Sequence, residues 1–398
     1  MEKMVYQRGH GRASAAPNGS ILSDEHHGSS GSAIGPLESN KGLGLPNGAF
    51  DRQLFLPAQM TLNTNKGSIM AIADESQANS VAFIVPTLKR PDFLERCLAS
   101  IEAQTCSATS VLVGIRQDDE SSQAVVRDFA ARLPVRAVQA NGVGVIGSMS
   151  SCLAETTQDF VALVDDDVEL PPHWLKTMLG HLGEHPDILA VAGRDFLQDH
   201  PEERRTEARV LDVGRIHWYG RITGNHHRGA GRPRSVDVLR GSNCLFRGPF
   251  LREAGFEQRL RGKGAQVNWE LALAFQARRR GSRLFYDPNV EVLHHAAPRF
   301  DNDIVHRGGY DKRAVSDMAF NETFVTREHG RGFHRIAAIS YQILVGSPAC
   351  PGLVHFVKHA CKKSPHIFER LVVTARGRME ALTQTGPAEF ETYHQAHI

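Results

Sequence analysis

Phe160-Val161-Ala162-Leu163-Val164-Asp165-Asp166-Asp167 is an uninterrupted apolar run that ends directly in three acids. Five consecutive apolar residues predict a strand that is buried on both faces, as in a parallel sheet. Ligands of open α/β sheets bind beyond the carboxyl ends of such strands, so the three carboxylates lie where a site is expected. Their mutual repulsion favours a hard divalent cation as partner, whereas a turn followed by a helix cap is the structural alternative.

Strands and helices alternate on both sides of this stretch. Upstream, Val81–Val85 is a second apolar run, ended by Pro86, and Pro91 opens an amphipathic helix. The alternation predicts an open α/β sheet. Further strands are predicted at 111–115, 135–138, 188–192 and 290–293, further helices at 124–133, 146–156, 174–182 and 269–280, and loops with short strands at about 195–234.

The composition of the whole chain is that of a globular protein. It has 398 residues, is 41% hydrophobic and carries a formal net charge of +2. The near-zero charge argues against a nucleic-acid partner. Six cysteines without metal-type spacing predict reduced thiols and a cytoplasmic location. The sequence has no signal-peptide pattern and no apolar run long enough to span a membrane.

Three segments of the chain differ in character. Residues 1–78 are rich in Gly, Ser, Asn and His and are predicted to be a disordered, low-complexity tail. Residues 79–300 carry the strand–helix alternation and are predicted to be one catalytic domain, and residues 301–398 a mainly helical extension. The segment 336–363 is fairly apolar, is interrupted by Gly and Pro and ends in lysines. It could rest on a membrane interface, and packing on the catalytic domain is the alternative.

Polar groups also follow two of the other predicted strands. Pro86-Thr87-Leu88-Lys89-Arg90 comes after the first strand and Asp118-Asp119 after the second. Because the carboxyl ends of parallel strands lie at the same edge of a sheet, these groups and the three acids are expected to share one rim. For Asp118-Asp119 alone, an ordinary loop is an equal alternative.

The order of these motifs resembles that of the family 2 glycosyltransferases of GT-A fold. The motifs are Ile84-Val85-Pro86-Thr87, Asp118-Asp119, Leu163-Val164-Asp165-Asp166-Asp167, Gly241-Ser242-Asn243, Phe246-Arg247 and Gly255-Phe256. The resemblance covers about residues 80–300 and depends on the ordered set. It implies a Rossmann-like, mixed and mainly parallel sheet flanked by helices. It also implies an inverting transfer of a sugar from a nucleoside-diphosphate sugar to an acceptor hydroxyl, with a divalent metal, Mn²⁺ or Mg²⁺.

The resemblance also implies roles for individual residues. Thr87 and Asp119 match nucleoside contacts, although the spacing around Asp118-Asp119 departs from the family pattern, so either acid is a candidate. Asp165 matches the ribose or metal side of the acidic motif, and Asp167 matches the metal position. His294 or His295 matches a further metal or diphosphate contact, with an exposed histidine pair as the alternative. The donor-side candidates are Pro86, Thr87, Arg90, Asp118, Asp119, Asp165, Asp166, Gly241, Ser242 and Asn243.

The general base is expected at a helix start after the Gly-rich stretch 261–266. Asn268 falls where the family often has its catalytic Asp, and an amide cannot act as a base. Glu270 is the nearest carboxylate and is therefore the candidate base. The alternative is that Glu270 is only an acid in the first turn of a helix, where the helix dipole favours a negative charge. Trp269 could stack on an acceptor sugar or pack in the core. Trp218, in an Arg- and His-rich stretch, is a second acceptor-side candidate.

Two other functions fit part of this pattern. A metal-dependent nucleotidyltransferase has a similar sheet and acidic site, but it needs a Gly-rich phosphate loop, which residues 86–90 lack. A catalytically silent nucleotide-sugar-binding module is suggested by Asn268. The leading hypothesis is a glycosyltransferase of polysaccharide or glycoconjugate synthesis, in the cytoplasm or peripheral to the inner membrane face. Its acceptor would be a saccharide, a lipid-linked molecule or a protein.

Overall fold

Parallel strands joined by helices form the first half of the structure, a computed structural model that describes residues 79–198, 207–295, 297–298 and 310–384. The predicted tail, residues 1–78, lies outside the described residues. The elements of this half are β1 (Val81–Pro86), α1 (Pro91–Glu102), β2 (Ser110–Ile115), α2 (Glu120–Phe129), β3 (Val135–Gln139), α3 (Gly144–Ala154), β4 (Phe160–Val164), β5 (Val168–Glu169) and α4 (Trp174–Glu184).

The second half contains the remaining strands and a helical C-terminal region. Its strands and inner helices are β6 (Ile188–Leu197), β7 (Arg215–Ile216), β8 (Ile222–Thr223), β9 (Arg234–Val236), β10 (Asn243–Arg247), α5 (Gly248–Ala254), α6 (Trp269–Arg279) and β11 (Arg283–His294). The C-terminal helices are α7 (Lys312–His329), α8 (Gly332–Leu344), α9 (Leu353–Cys361) and α10 (Ile367–Thr383).

One mixed sheet runs through the structure. Within the described residues it has nine strands, in the order β3-β2-β1-β4-β10-β6-β11-β5, with β9 paired to β11. Strands β1 to β4 are parallel to one another, as are β6 and β11, and β10 lies antiparallel between β4 and β6. The order brings the carboxyl ends of β2, β1 and β4 side by side. The predicted mixed, mainly parallel sheet is confirmed.

The central strands are covered on both faces. In β1, Phe83 and Val85 belong to one buried cluster and Ile84 to the other. In β4 every residue is buried, with Leu163 on one face and Val164 on the other. A continuous apolar run is stable as a strand only when helices or loops cover both faces, which explains why these two runs identified the fold.

Local polar contacts move the boundaries of two elements away from the predicted ones. Helix α2 begins at Glu120 rather than near 124, because the Asp119 carboxylate caps it by accepting a hydrogen bond from the Ser122 amide at 3.1 Å. Strand β6 continues to Leu197, beyond the predicted end at 192, because the buried Asp195 within it is paired with polar side chains.

One further strand was recognised only in part, and another was missed. The strand predicted at 290–293 is the end of β11, twelve residues long, which accommodates Pro288 where its register to β6 shifts. Strand β10 and helix α5 lacked a predicted counterpart. Strand β10 has only five residues and is buried because it pairs with a neighbour on each side.

The C-terminal helices extend the same core. Helix α7 contacts both α6 and α10, and α10 approaches it closely at Gly377, where an added Cβ would lie 2.3 Å from the Ser316 carbonyl oxygen. Asn321 of α7 is fully buried, accepts a hydrogen bond from the Arg261 amide at 2.7 Å and donates to the carbonyls of Arg261 and Val267. Helix α7 thus holds the loop that precedes α6. None of the helices in the described part of the chain is long and apolar enough to cross a bilayer.

Candidate active site

The carboxyl ends of β1, β2 and β4 form a connected polar rim. Thr87 donates a hydrogen bond from Oγ1 to Oδ2 of Asp166 at 2.6 Å. The Arg90 guanidinium lies 3.0 Å from Asp166 and 3.3 Å from Asp167. The Lys89 amide donates to Asp119, which links the end of β1 to the end of β2. The structure therefore brings together the three groups that were predicted to share one edge.

The two acids after β2 have different surroundings. Asp119 is buried and accepts four hydrogen bonds, from the amides of Lys89 and Ser122 and the hydroxyls of Ser121 and Ser122. Burial alone would raise the pKa of Asp119, but these bonds outweigh it and lower the pKa. Asp118 is exposed and pairs with Lys89 and Arg116, which lower its pKa. Asp119 thus shapes the turn, and Asp118 is the acid that solvent reaches.

Asp165, Asp167 and His294 form a cluster that could hold a metal ion. One ligand atom from each lies within 4.8 Å of the others. The His294 Nε2 atom is 3.4 Å from Oδ1 of Asp167, and its buried Nδ1 atom has no hydrogen-bond partner among the described residues. Burial, and then the charge of Asp167, raise the pKa of Asp165. Crowded carboxylates beside an unpartnered imidazole nitrogen fit a bound cation.

His295 has a different role from His294. Its Nε2 atom lies 2.6 Å from Oε1 of Glu169, and its backbone amide donates to the Asp167 carbonyl. Side chains of consecutive residues in an extended chain point to opposite sides. Of the two candidates, His294 therefore belongs to the group that could hold a metal ion, whereas His295 contacts Glu169.

Asp166 points away from the metal cluster, between Thr87 and Arg90. Burial raises the pKa of Asp166 to about 7, although Arg90 opposes the shift. The three acids after β4 thus separate by alternation: the first and third meet His294, and the second joins β4 to the end of β1.

A buried carboxylate that sequence reasoning missed lies beside this cluster. Asp195 of β6 is fully buried and accepts hydrogen bonds from Ser242 Oγ, 2.8 Å from each carboxylate oxygen, and from the side-chain nitrogen Nδ2 of Asn243. Arg240 lies 2.6 Å from it. Although burial opposes ionisation, Arg240 and the other neighbours hold the pKa of Asp195 below its ordinary value. The polar side chains of Ser242 and Asn243, expected to face a ligand, are thus directed to Asp195.

Glu270 occupies the first turn of α6, next to Gly241. Its Oε1 atom accepts a hydrogen bond from the Gly241 amide at 3.3 Å. Burial raises the pKa of Glu270 to about 7, and the charge of Asp165 adds to the shift. The carboxylate borders a small cavity with a mainly apolar lining that includes Trp269 and Phe246.

The loop that precedes Glu270 has an unusual backbone. Gln266 and Asn268 adopt positive φ angles of 42° and 77°, which non-glycine residues seldom do. Such residues persist only where their surroundings hold them, often at functional sites. Here Gln266 Oε1 accepts a hydrogen bond from the Ile146 amide at 3.0 Å, and Asn321 holds the Val267 carbonyl at 3.1 Å.

The two tryptophans predicted to face an acceptor are placed differently. Trp269 is 7% exposed, belongs to the main core and packs edge-to-face on Phe256 at 5.7 Å, so its contacts are those of the core-packing alternative. Trp218 is 70% exposed, in the β7–β8 hairpin. The ring centroid of the adjacent Tyr219 lies 5.9 Å from that of Tyr341 in α8. Within the described residues, no ring contact, hydrogen bond or ion pair joins Trp218 to the strand-end rim.

This arrangement defines an α/β enzyme with a charged ligand site at the carboxyl edge of its sheet. Residues 82–253 match the family model of glycosyl transferase family 2. Over this segment the chain is similar to the family 2 glycosyltransferases, and the match supports glycosyltransferase activity, as the motif order suggested. The match also favours sugar transfer over nucleotidyl transfer. Glu270 and His294 lie beyond the matched residues.

Curated relatives match the chain in part. It is 25% identical over 225 residues to a glucosyl-dolichyl phosphate glucuronosyltransferase of Haloferax volcanii, covering 54% of this chain and 68% of that protein. It is 28% identical over 146 residues to the amylovoran biosynthesis glycosyltransferase AmsE of Erwinia amylovora, covering 36% of this chain and 54% of that one. A mannosyltransferase from Pyrobaculum calidifontis, solved with GDP-Man and Mn²⁺, superposes with a TM-score of 0.48 at 16% identity over 77% of this chain and 88% of its own.

Proposed function

We propose that the chain transfers a sugar from a nucleoside-diphosphate sugar to an acceptor hydroxyl with inversion at the anomeric carbon, and that Glu270 is the general base. The position of Glu270 is the observation that supports this most. Its carboxylate lies against Gly241, close enough to Asp165 for that charge to affect it, and burial raises its pKa to about 7. A base with a pKa near the working pH is ionised and still has a useful proton affinity.

The cluster of Asp165, Asp167 and His294 is proposed to hold Mn²⁺ or Mg²⁺. Two carboxylates and an imidazole are suitable donors, and the unpartnered nitrogen of His294 supports a ligand at this position. A cation bound there would offset negative charge on the donor's diphosphate and on the leaving group. Arg90, which contacts Asp166 and Asp167, adds fixed positive charge at the same rim.

The proposed reaction is a single displacement. The acceptor oxygen forms a bond to the anomeric carbon while the bond from that carbon to the diphosphate oxygen breaks. Glu270 takes the proton of the acceptor hydroxyl, and the bonding electron pair leaves with the nucleoside diphosphate. Attack from the face opposite the leaving group inverts the configuration. On this proposal Pro86, Thr87 and either Asp118 or Asp119 lie on the nucleoside side.

The acceptor is proposed from the relatives, and the location from the cysteine pattern of the sequence. The Haloferax relative is a glucosyl-dolichyl phosphate glucuronosyltransferase, and the Erwinia relative is an amylovoran biosynthesis enzyme. We extend this to a saccharide or lipid-linked acceptor in polysaccharide or glycoconjugate synthesis, with the enzyme in the cytoplasm and in peripheral contact with the inner membrane face.

Donor turnover and donor binding, measured separately, test the proposal. Wild type is expected to release nucleoside diphosphate from one of a panel of UDP- and GDP-sugars in the presence of Mn²⁺ or Mg²⁺, and to stop when EDTA is added. Glu270→Gln is expected to keep donor binding in calorimetry but to lose about 10²- to 10⁴-fold in transfer. Glu184→Gln, at an exposed acid at the end of α4, is the matched control. Full transfer by Glu270→Gln would place the base elsewhere.

A further inference from the structure

The C-terminal helices expose large apolar side chains. Each helix carries them on one side, at spacings of three, four or seven residues or on adjacent positions of the same face. Their exposed fractions range from 44% to 70%. We call this set the C-terminal apolar face, and its members are Phe333, Ile336, Ile343 and Leu344 of α8, Leu353, Val354 and Val357 of α9, and Phe368, Val372 and Met379 of α10.

Helix α9 is the clearest case. None of its residues, all of which the structure describes, is buried. It is nevertheless strongly amphipathic, with Leu353, Val354 and Val357 on the exposed side. The helix is fixed to its neighbours at its edges, through the His355 bond to the Val345 carbonyl at 2.8 Å and the Phe356–Phe368 ring contact at 4.9 Å. An amphipathic helix that leaves its apolar side in water is expected to have a partner for that side.

The charge of α8 and α9 is of one sign, and the two acids of α10, Glu369 and Glu380, are each paired with a cation. From His329 to Phe368 the chain contains no Asp or Glu, although it has 44 of these residues in total. Over the same stretch it has Arg331, Arg335, Lys358, Lys362 and Lys363, together with five histidines. A partner for the α8 and α9 part of this surface must therefore be apolar in the middle and negatively charged around it.

A bilayer with anionic headgroups has this combination, and a second copy of the chain does not. Two copies joined through this face would bring ten fixed cations together without an acid from the same stretch to offset them. An anionic membrane surface instead attracts each Lys or Arg, and its headgroup boundary takes up the apolar side chains. Because none of the described helices could span a bilayer, the contact would be at the surface.

We propose that α8, α9 and α10 dock the enzyme on the surface of an anionic bilayer, with the C-terminal apolar face in the headgroup boundary. This goes beyond sugar transfer and does not depend on the donor or the base. The β7–β8 hairpin lies beside the docking helices. At Gly220, which has a φ of 97°, an added Cβ would be 2.2 Å from the Ala337 carbonyl oxygen of α8. Trp218, two residues before Gly220, is an exposed aromatic of the kind found at membrane interfaces.

Vesicle flotation of the full-length protein tests the proposal. Wild type is expected to bind phosphatidylglycerol-containing vesicles and to bind pure phosphatidylcholine vesicles much more weakly. Leu353→Asp/Val357→Asp is expected to lower binding at least tenfold, and circular dichroism should be unchanged because α9 buries none of its side chains. Leu211→Asp, at an apolar residue that is 73% exposed outside this face, is the control and should bind like wild type. The triple variant Lys358→Gln/Lys362→Gln/Lys363→Gln should have about 100-fold lower affinity for anionic vesicles, because each lysine contributes about fivefold.

Tryptophan fluorescence gives a second readout. The chain has three tryptophans, and only Trp218 among them is exposed, since Trp174 and Trp269 are buried. Brominated lipids are therefore expected to quench the Trp218 emission in the bound state. Wild type that fails to bind anionic vesicles, or a Leu353→Asp/Val357→Asp variant that binds equally well, would overturn the proposal. A lipid-free dimer of wild type that becomes monomeric in that variant would also overturn it, in favour of a second copy.

Discussion

Thr87 and Asp166 are joined by a 2.6 Å hydrogen bond between buried side chains that lie 79 residues apart in the chain. The bond connects the end of β1 to the end of β4, so the loop after β1 and the three acids after β4 form one unit. Asp166 is therefore fixed in place by Thr87 and Arg90, and its neighbours Asp165 and Asp167 are directed toward His294.

Loss of Asp167 should weaken the binding of a metal ion. Asp167→Asn removes one of the three grouped ligands and is expected to weaken Mn²⁺ binding, measured by calorimetry, at least about 100-fold. Asp128→Asn, at an exposed acid of α2, is the control for loss of one negative charge. Equal Mn²⁺ affinity in the two variants would exclude Asp167 as a ligand.

The rate of transfer should rise with pH through about 7. Glu270 must be ionised to accept the acceptor's proton, and burial raises its pKa to about 7. The acidic limb of kcat/KM, measured with donor and metal saturating, is therefore expected to have its midpoint near that pH. Residual transfer by Glu270→Gln should lack this limb. A midpoint near 4.5 in the wild type would contradict the burial of this carboxylate.

The same pKa predicts a stability effect of opposite sign to the activity effect. The folded carboxyl of Glu270 titrates near 7 and the unfolded one near 4.5, so the folded state binds more protons between these values and stability falls as pH rises across them. Glu270→Gln cannot ionise and is expected to exceed wild type in stability at pH 8 by up to about 3 kcal/mol. Below pH 4 the two should be similar. Urea denaturation at both pH values measures this difference.

The Arg240–Asp195 pair should behave as a unit. Arg240→Met leaves a fully buried carboxylate without its cation, and is expected to cost about 2–3 kcal/mol because the arginine is itself 34% exposed. Adding Asp195→Asn removes the uncompensated charge and should recover part of the lost free energy of unfolding. Urea denaturation of the two single variants and the double variant gives the coupling energy. Strictly additive losses would show that the pair is not coupled.

Gly241 should tolerate no side chain. An added Cβ would lie 2.0 Å from Cζ2 of Trp269 and 3.1 Å from Oε1 of Glu270. Gly241→Ala is therefore expected to displace both residues and to lower transfer at least tenfold, together with stability. Gly183→Ala is the matched control, because its Cβ would meet no atom within 4 Å and Ala is favoured over Gly in a helix by about 0.5–1 kcal/mol. Unchanged transfer by Gly241→Ala would mean that the base is not positioned by this contact.

The sequence patterns predicted the parts of the site that depend on strand ends. The apolar runs of β1 and β4 are continuous because both faces are buried, and the acids that follow them lie where the sheet ends. That geometry requires only the strand order, so the shared rim could be anticipated from Thr87, Asp119 and Asp165–Asp167. The choice of His294 over His295 could not be predicted from the sequence, because it depends on which of two adjacent side chains points toward Asp167.

Asp195 was missed for a related reason. An acid inside an apolar strand interrupts the hydrophobic pattern, and its partners Arg240 and Ser242 come more than forty positions later in the chain. The role of Asp119 was similarly hidden, because a carboxylate that caps a helix and one that binds a ligand look the same in sequence. Trp269 is buried by Phe256 and Gly241, a contact that sequence spacing does not reveal.

The clamp formed by Asn321 has a consequence for engineering. It fixes the loop before Glu270 from a helix that begins well after the residues matched by the family model. A chimera that joined the matched segment to the C-terminal region of a relative would keep the polar rim at the strand ends but release the loop that precedes Glu270. The smallest transplantable catalytic module therefore extends to the end of α7, at His329, and an exchange of acceptor specificity has to leave Asn321 in place.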